Sequence, residues 1–283
     1  PKIPIITTIH SDYLLDDYRG GKFVSFIFRK INAWALRKMD YYIGVSDRFK
    51  DMMISRGFGT KKSVFSVYNG LDFNKEIIIE REKEAFLSDC NVDINENMTY
   101  VGIMGRLDPV KNHGLFIEIA KKVIDKNRNF RFLIAGDGKL EEELKKLAKL
   151  YKIDKYIHFL GFVDKPYEFY NSIDINVLTS LSESFPYVML EGARIKKPIV
   201  TTDVGGVERV VENGETGYIV ENYNVDDFVR RILELKDDED LRLAMGNRIY
   251  EIVKNRYSMD NFISEHIKIY ETILGGGNTY ENN

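Results

Sequence analysis

Short apolar runs alternate with longer amphipathic runs along most of this 283-residue chain, and this alternation leaves few fold classes open. The apolar runs predict strands at residues 3–9, 41–45, 64–68, 99–104, 130–135, 156–160, 174–178, 198–202 and 217–220. The amphipathic runs predict helices at residues 22–38, 47–56, 112–127, 139–151, 187–196, 225–236, 240–255 and 259–274. Strands and helices that alternate in this way build parallel sheets covered by helices. We therefore expect an α/β fold.

The spacing of these runs also predicts how the chain is divided into domains. The predicted segments are a partial N-terminal Rossmann-like domain (1–80), a linker (81–98), a complete Rossmann-like domain (99–257), a C-terminal helix returning towards the N-terminal domain (258–274) and a flexible tail (275–283). The first domain supplies only about three strands, and the chain opens with Pro1 rather than methionine. We therefore expect the early strands of that domain to be missing.

Composition excludes several classes of protein. Forty-one Lys and Arg against 44 Asp and Glu give a net charge of −3, which supplies no general attraction to nucleic acid. The single cysteine, Cys90, excludes an internal disulfide framework and a cysteine-rich metal site, and fits a reducing compartment. No apolar run approaches the roughly 20 residues that span a bilayer. We expect a cytoplasmic protein.

Polar clusters follow several strands of the second domain, at the edge where open α/β sheets bind ligands. Arg106 and Lys111 come after strand 99–104, and they fit either a diphosphate or a solvated surface turn. Gly136-Asp137-Gly138 follows the next strand and allows close backbone approach. It is not the dinucleotide fingerprint, because Glu141 stands where that motif needs glycine. Phe162 follows strand 156–160 and is either a nucleobase contact or a core residue.

Two glutamates flank a predicted loop-to-helix junction. Ser184 suits an N-cap and Pro186 the first helical position, so that Glu183 lies in the loop and Glu191 in the helix. The helix rises about 7–8 Å from Pro186 to Glu191, so the two carboxylates are expected to contact different parts of one elongated ligand. Most glutamates are solvated surface charges, and the pair alone leaves that interpretation open.

Together these clusters resemble the large retaining glycosyltransferase family called glycosyltransferases group 1. The motifs that carry the resemblance are Asn69-Gly70-Leu71-Asp72, Gly105-Arg106 through Lys111, Gly136-Asp137-Gly138, Gly161-Phe162, Ser182-Glu183-Ser184-Phe185-Pro186 through Glu191-Gly192, and Gly205-Gly206. The resemblance implies the GT-B fold, with two Rossmann-like doubly wound parallel-sheet domains facing a cleft. Residues 1–80 look like the later part of the acceptor-side domain.

The resemblance also implies roles for individual residues at the donor. Arg106 and Lys111 would bind the diphosphate of a UDP- or GDP-sugar, and Glu191 would accept hydrogen bonds from the ribose. Phe162 would frame the base, and the loop of Gly136, Asp137 and Gly138 would contribute to the same site.

The sugar itself is assigned to a second group of residues by the same resemblance. Glu183, with the backbone around Ser184, Phe185 and Pro186, would hold the donor sugar. His10, at the exit of an N-terminal strand, would face that sugar across the cleft. We therefore expect His10 and Glu183 to be the catalytic pair of a metal-independent, hexosyltransferase-like enzyme with a glycan or lipid-linked acceptor and no tightly bound cofactor.

Two alternatives stay open at this point. Another nucleotide-sugar enzyme, an epimerase or dehydrogenase, is disfavoured by the incomplete dinucleotide fingerprint and by the absence of a Tyr-x-x-x-Lys pair at Tyr151. A non-catalytic sugar-nucleotide-binding fragment is compatible with the missing strands, and whether this fragment alone is active stays open. The acidic run Asp238-Glu239-Asp240 lies between predicted helices, and we expect no metal there.

One N-terminal stretch bears on partners. Residues 19–39 contain six basic residues and no acidic ones, interleaved with aromatic residues that include Phe23 and Trp34. On a helical wheel, basic and apolar side chains share one arc, which fits either a packed helix with a basic edge or peripheral contact with an anionic membrane. The second interpretation would locate the protein at the inner face of the membrane.

Overall fold

The structure is a computed structural model that describes residues 3–12, 14 and 21–275. Its contacts divide the chain into two compact units. The first unit contains the chain up to Gly70, Glu183–Phe185, and the chain from Tyr257 onward, and the second contains Leu71–Ser182 and Pro186–Arg256. Most of the predicted flexible tail, residues 276–283, and Arg19 of the basic stretch lie outside the described residues.

Strands and helices alternate along the described chain. The strands are β1 (Ile6–Ile9), β2 (Tyr41–Gly44), β3 (Val64–Ser66), β4 (Thr99–Met104), β5 (Phe130–Ala135), β6 (Ile157–Gly161), β7 (Ile175–Leu178), β8 (Ile199–Thr202) and β9 (Gly217–Val220). The α-helices are α1 (Gly21–Leu36), α2 (Asp47–Ser55), α3 (Lys83–Asp89), α4 (His113–Lys126), α5 (Glu141–Leu150), α6 (Pro166–Ser172), α7 (Tyr187–Arg194), α8 (Val225–Asp237), α9 (Glu239–Arg256) and α10 (Met259–Ile273). Every strand lies where the apolar runs predict one, and the α/β fold class is confirmed.

The first unit contains a small parallel sheet in the order β1-β2-β3. Tyr42 and Val64 are paired across β2 and β3, and both are buried in a core with Met53 of α2. Ser46 caps α2, because its hydroxyl accepts a hydrogen bond of 3.3 Å from the amide of Phe49. The crossovers through α1 and α2 therefore build two consecutive βαβ connections of this sheet.

The C-terminal helix α10 packs within the first unit. Its Ile269 is 1% exposed and forms a cluster with Ile43 of β2 and Val67. Ser258 caps α10, and its hydroxyl accepts from the amide of Asn261 at 3.2 Å. Helix α10 thus covers part of the three-stranded sheet.

The second unit contains a six-stranded parallel sheet in the order β6-β5-β4-β7-β8-β9. Val101 and Ile103 of β4 point into a core shared with α4, α5 and α8, whereas Tyr100 points into a second core shared with α3 and α6. This alternation with helices on both faces is the doubly wound arrangement. The strand order reverses between β4 and β7, which creates a topological switch point at their carboxyl ends.

The segment expected to be a linker, residues 81–98, is a packed part of the second unit. It contains α3, whose Phe86 and Leu87 are buried. Arg81 donates a hydrogen bond of 2.7 Å to Glu168 of α6, and the Glu168 side chain is fully buried. The many charges of this segment obscured a seven-residue helix that the sequence did not predict.

Candidate functional site

The loops that follow β4 and β7 are joined by hydrogen bonds at the switch point. The amide of Leu181 donates to the carbonyl of Val110 at 2.8 Å. The hydroxyl of Thr179 lies 3.1 Å from the carbonyls of both Lys111 and Asn112. These bonds hold the loop after β4 against the loop after β7, which is the place where an open α/β sheet binds its ligand.

The two cations predicted from the sequence lie in the loop after β4. Asp108 organises this loop, because its carboxylate accepts from the amides of Val110 and Lys111 at 3.1 and 3.2 Å. The same carboxylate lies 3.1 Å from the guanidinium of Arg106, whose side chain remains 81% exposed. The stem of Lys111 runs beside Gly105, where an added Cβ would lie 3.6 Å from it. The structure therefore brings both cations to the carboxyl edge of β4.

The glycines of the loop after β5 have a packing role. At Gly136, where φ is +133°, a Cβ would lie 2.0 Å from the carbonyl oxygen of Gly105. At Gly138, where φ is +156°, it would lie 2.5 Å from the carbonyl oxygen of Leu107. The carbonyl of Asp137 accepts from the amide of Leu107 at 2.7 Å. Glycine is needed at both positions because the backbone of this loop touches the backbone of the loop after β4. Contact of this loop with a ligand stays a prediction.

Phe162 is 76% exposed and follows Gly161 at the end of β6. The alternative that Phe162 is a core residue is therefore wrong. The amide of Gly136 donates to the carbonyl of Gly161 at 2.7 Å, which links the loops after β5 and β6. An exposed ring thus stands at the same carboxyl edge as the loop of Arg106.

Glu191 lies inside α7, as the sequence predicts. It is partly buried, and burial raises the pKa of its carboxyl group. Burial, together with the charge of Glu191, also raises the pKa of Tyr170 well above its usual value. Helix α7 lies close to β7, because a Cβ on Gly192 would come within 2.6 Å of Asn176 Nδ2. A partly buried carboxylate is a candidate ligand group, since folding has already removed part of its water.

The start of α7 differs from the prediction. The helix begins at Tyr187, and Pro186 is its N-cap with φ −75° and ψ 127°, without a side-chain cap hydrogen bond. The expected N-cap role of Ser184 and the expected first helical position of Pro186 are therefore wrong. The extended ψ of Pro186 moves the helix start one residue further along the chain.

Residues Glu183–Phe185 belong to the first unit. The ring of Phe185 is 1% exposed and packs on Tyr68 and Tyr257, with ring centroids 4.8 and 4.9 Å away. Asn69 is buried, and its amide donates to the carbonyl of Phe185 at 2.7 Å. The sequence marked Asn69 only as part of a motif, whereas the structure shows that it positions the backbone beside Glu183.

His10 follows β1 directly and is exposed. It belongs to the first unit, together with Glu183 and Phe185. The loops of Arg106 and Phe162 and the helix of Glu191 belong to the second. The second unit therefore contains all residues expected to bind the nucleotide, and the first contains both residues expected to be catalytic.

Within the described residues, no group of three or more His, Cys, Asp or Glu side chains could hold a metal ion. In the same part of the chain, no helix is long and apolar enough to cross a membrane.

Known proteins resemble this chain in sequence. The family model of Glycosyl transferases group 1 matches residues 89–252. The chain is 26% identical, over 92% of its length, to the capsular polysaccharide biosynthesis glycosyltransferase CapM of Staphylococcus aureus, of which it covers 68%. It is 25% identical, over 61% of its length, to a poly(ribitol-phosphate) alpha-N-acetylglucosaminyltransferase of S. aureus strain COL, of which it covers 35%.

Solved structures resemble it in fold. HepE from Anabaena, in complex with UDP and glucose, matches 96% of this chain with a TM-score of 0.79 and 20% identity, and the chain covers 71% of it. A variant of S. aureus TarM, in complex with fondaparinux, alpha-GlcNAc-glycerol and UDP, matches 94% of this chain with a TM-score of 0.74 and 21% identity, and the chain covers 50% of it. The chain therefore spans only part of each of these proteins.

The family match to residues 89–252 covers more than half of the chain. This chain belongs to the glycosyl transferases group 1 family and has the GT-B type of α/β fold.

Proposed function

We propose that this chain is part of a retaining glycosyltransferase that moves a sugar from a nucleoside-diphosphate sugar to a cell-envelope glycan or a lipid-linked acceptor. The observation that carries the proposal is the placement of Arg106 and Lys111 at the switch point of the second sheet, in a loop that Asp108 holds in shape. Relatives named for capsular polysaccharide biosynthesis, poly(ribitol-phosphate) and a diphosphoundecaprenol acceptor support the acceptor class.

The chemistry fits these residue types. As the glycosidic bond to the donor breaks, negative charge develops on the departing nucleoside diphosphate and positive charge on the sugar ring. Arg106 can fork onto phosphate oxygens and Lys111 can add a compact charge, so both lower the barrier electrostatically. Two fixed cations can replace a divalent metal at the diphosphate, and we propose a metal-independent reaction.

The remaining residues are assigned along the donor. Glu191 accepts hydrogen bonds from the ribose, and Phe162 stacks with the base. Glu183 and its neighbouring backbone hold the sugar, with His10 as the second catalytic residue. Asn69 is a positioning residue in this scheme, because it holds the carbonyl of Phe185 two residues after Glu183. The proposed location is the cytoplasm.

Calorimetry with UDP, UDP-sugars and GDP-sugars tests the donor site. Arg106→Ala and Glu191→Ala are each expected to weaken binding about 10- to 100-fold, since each removes a charge-assisted hydrogen bond. Arg230→Ala and Glu142→Ala remove exposed charges elsewhere in the second unit and should leave binding unchanged. Undiminished binding in both site variants would refute the site.

Transfer is tested separately from binding. The anomeric configuration of the product, read by NMR, should match that of the donor, and turnover should persist with a chelator present. An inverted product or loss of turnover on chelation would contradict the corresponding part of the proposal. Binding without turnover towards any carbohydrate or lipid-linked acceptor would favour a non-catalytic role.

A further inference from the structure

Tyr170 of α6 has a hydroxyl group that is buried without a partner. Its side chain is fully buried, and within the described residues its hydroxyl oxygen has no hydrogen-bond partner. Leaving a buried hydroxyl unpaired costs folding free energy, so such a group calls for an explanation. Because burial and the charge of Glu191 raise the pKa of Tyr170 well above its usual value, the hydroxyl keeps its proton and can donate it to an acceptor.

Tyr170 packs against the helix that carries Glu191. A Cβ added at Gly192, the next residue of α7, would lie 3.4 Å from Cδ1 of the Tyr170 ring. On the same side of α7, Asn176 Nδ2 of β7 donates to the carbonyl of Val188 at 3.2 Å. The backbone that carries Glu191 is therefore held by β7 and packed on α6, both of which belong to the second unit.

The carboxyl group of Glu191 has no comparable support. Burial raises its pKa, and within the part of the chain that the structure describes no hydrogen bond or neighbouring cation counteracts this effect. A carboxylate only accepts hydrogen bonds, whereas the Tyr170 hydroxyl has one to donate. Tyr187, one turn earlier on α7, also has its pKa raised by burial and by the charge of Glu191, but it is 45% exposed and water can reach it. The buried hydroxyl of Tyr170 lacks that alternative.

We propose that Tyr170 is a positioning residue for the donor nucleotide: in the bound state its hydroxyl donates to one carboxylate oxygen of Glu191, which leaves the other oxygen to the ribose hydroxyls. The Glu191 side chain turns about its own single bonds to form this bond, and a carboxylate has acceptor positions for both partners. The bond stabilises the ionised form of Glu191, which burial disfavours. This inference rests on the proposed role of Glu191 at the ribose.

Calorimetry with UDP and GDP, and with the 2′,3′-dideoxy form of whichever binds more tightly, tests this assignment. Tyr170→Phe removes the hydroxyl and keeps the ring. It should weaken binding of the ordinary nucleotide about tenfold, as expected for one hydrogen bond to a charged group. Binding of the dideoxy nucleotide should not change, because that ligand lacks the hydroxyls that Glu191 would accept. In the Glu191→Ala background, Tyr170→Phe should cause no further loss.

Thermal unfolding of the ligand-free chain separates positioning from a structural role. Tyr170→Phe removes an unpaired buried hydroxyl, so its Tm should be unchanged or higher. The matched control is Tyr100→Phe. Tyr100 is also buried in the core cluster that contains Tyr170, but its hydroxyl donates to the carbonyl of Asp93 at 2.9 Å. The control should therefore have a lower Tm and unchanged nucleotide binding, which is the opposite pattern.

The outcomes distinguish failure of this inference from failure of the proposed function. If Glu191→Ala weakens nucleotide binding and Tyr170→Phe does not, the inference is wrong and the ribose contact stands. The inference is equally wrong if Tyr170→Phe weakens the dideoxy nucleotide as much as the ordinary one, or if the two losses add in the double variant, since Tyr170 would then act independently of Glu191. Unchanged binding in Glu191→Ala would overturn both the ribose contact and the inference.

Discussion

At the scale of single residues, two partly buried carboxyl groups show how partners decide the effect of burial. Burial raises the pKa of Glu191. Burial also acts to raise the pKa of Asp12, but hydrogen bonds from Arg56 and the amide of Leu14, with the charges of Arg56 and Arg29, lower it overall. Arg56 reaches both carboxylate oxygens of Asp12 at 2.7 Å. The fold thus stabilises the ionised form of Asp12, whereas it disfavours the ionised form of Glu191.

Glu191→Gln should stabilise the ligand-free chain at neutral pH. The folded pKa of Glu191 lies above the unfolded value, so its ionisation costs folding free energy as the pH rises above that unfolded value. The variant should therefore have the higher Tm at pH 7, and the difference should vanish near pH 3.5, where the carboxyl group is protonated in both states. Thermal unfolding across this range measures it. A difference that does not change with pH would show that ionisation is not its cause.

Asp12→Asn should have the opposite pH dependence. The folded pKa of Asp12 lies below the unfolded value, so its pair with Arg56 stabilises the fold above the unfolded pKa and loses this contribution as the pH falls. We expect a loss of about 1–2 kcal/mol at pH 7, measured by urea unfolding, and little loss at pH 3. Asp125→Asn, which breaks an exposed i,i+4 pair with Lys121, should cost less than about 0.5 kcal/mol. Equal losses at both pH values would contradict the ion-pair explanation.

At the scale of elements, the site depends on how closely the loops after β4, β5 and β6 approach one another. The amide of Gly136 donates to the carbonyl of Gly161, and a Cβ added at Gly136 would lie 2.0 Å from the carbonyl oxygen of Gly105. The loop that carries Arg106 is thereby held on one side by the loop of Gly136, Asp137 and Gly138 and on the other by Thr179. The shape of this candidate site therefore depends on backbone contacts that no single loop can make alone.

Gly136→Ala should disturb both stability and nucleotide binding. Its Cβ would meet the carbonyl oxygen of Gly105 at 2.0 Å, and its φ of +133° is strained for alanine. We expect a loss of at least about 2 kcal/mol in unfolding free energy and weaker UDP binding. Gly161→Ala has a positive φ of +68° but no neighbour within 4 Å, so it should cost only about 1–2 kcal/mol. Similar losses in urea unfolding would show that the close contact is unimportant.

Short helices mark the limit of sequence prediction at this scale. Helices α3 and α6 have seven residues each and were not predicted, although α3 buries Phe86 and α6 buries Glu168. Two turns are too few for a periodic pattern to stand out from a charged segment. A buried glutamate is also unexpected from sequence, because it depends on Arg81, which lies 87 residues away along the chain.

At the scale of the whole molecule, net charge conceals an uneven distribution. The chain as a whole is slightly acidic, yet the region of α1 is purely basic. The strand order of the second sheet likewise places the loop of Arg106 and Lys111 at the switch point. These are properties of the arrangement of elements, and composition averages over them.

The sequence by itself determined the fold class, all nine strand positions in the described chain and the residues that follow each strand, because strand period and turn residues are local signals. It also carried the family motifs. Only the tertiary structure decided that β4 adjoins β7, that Glu191 is partly buried, that the ring of Phe185 is in a core and that Trp34 faces outward. Each of these depends on contacts between residues far apart in the chain, and a local pattern contains no information about which distant partner covers a given side chain.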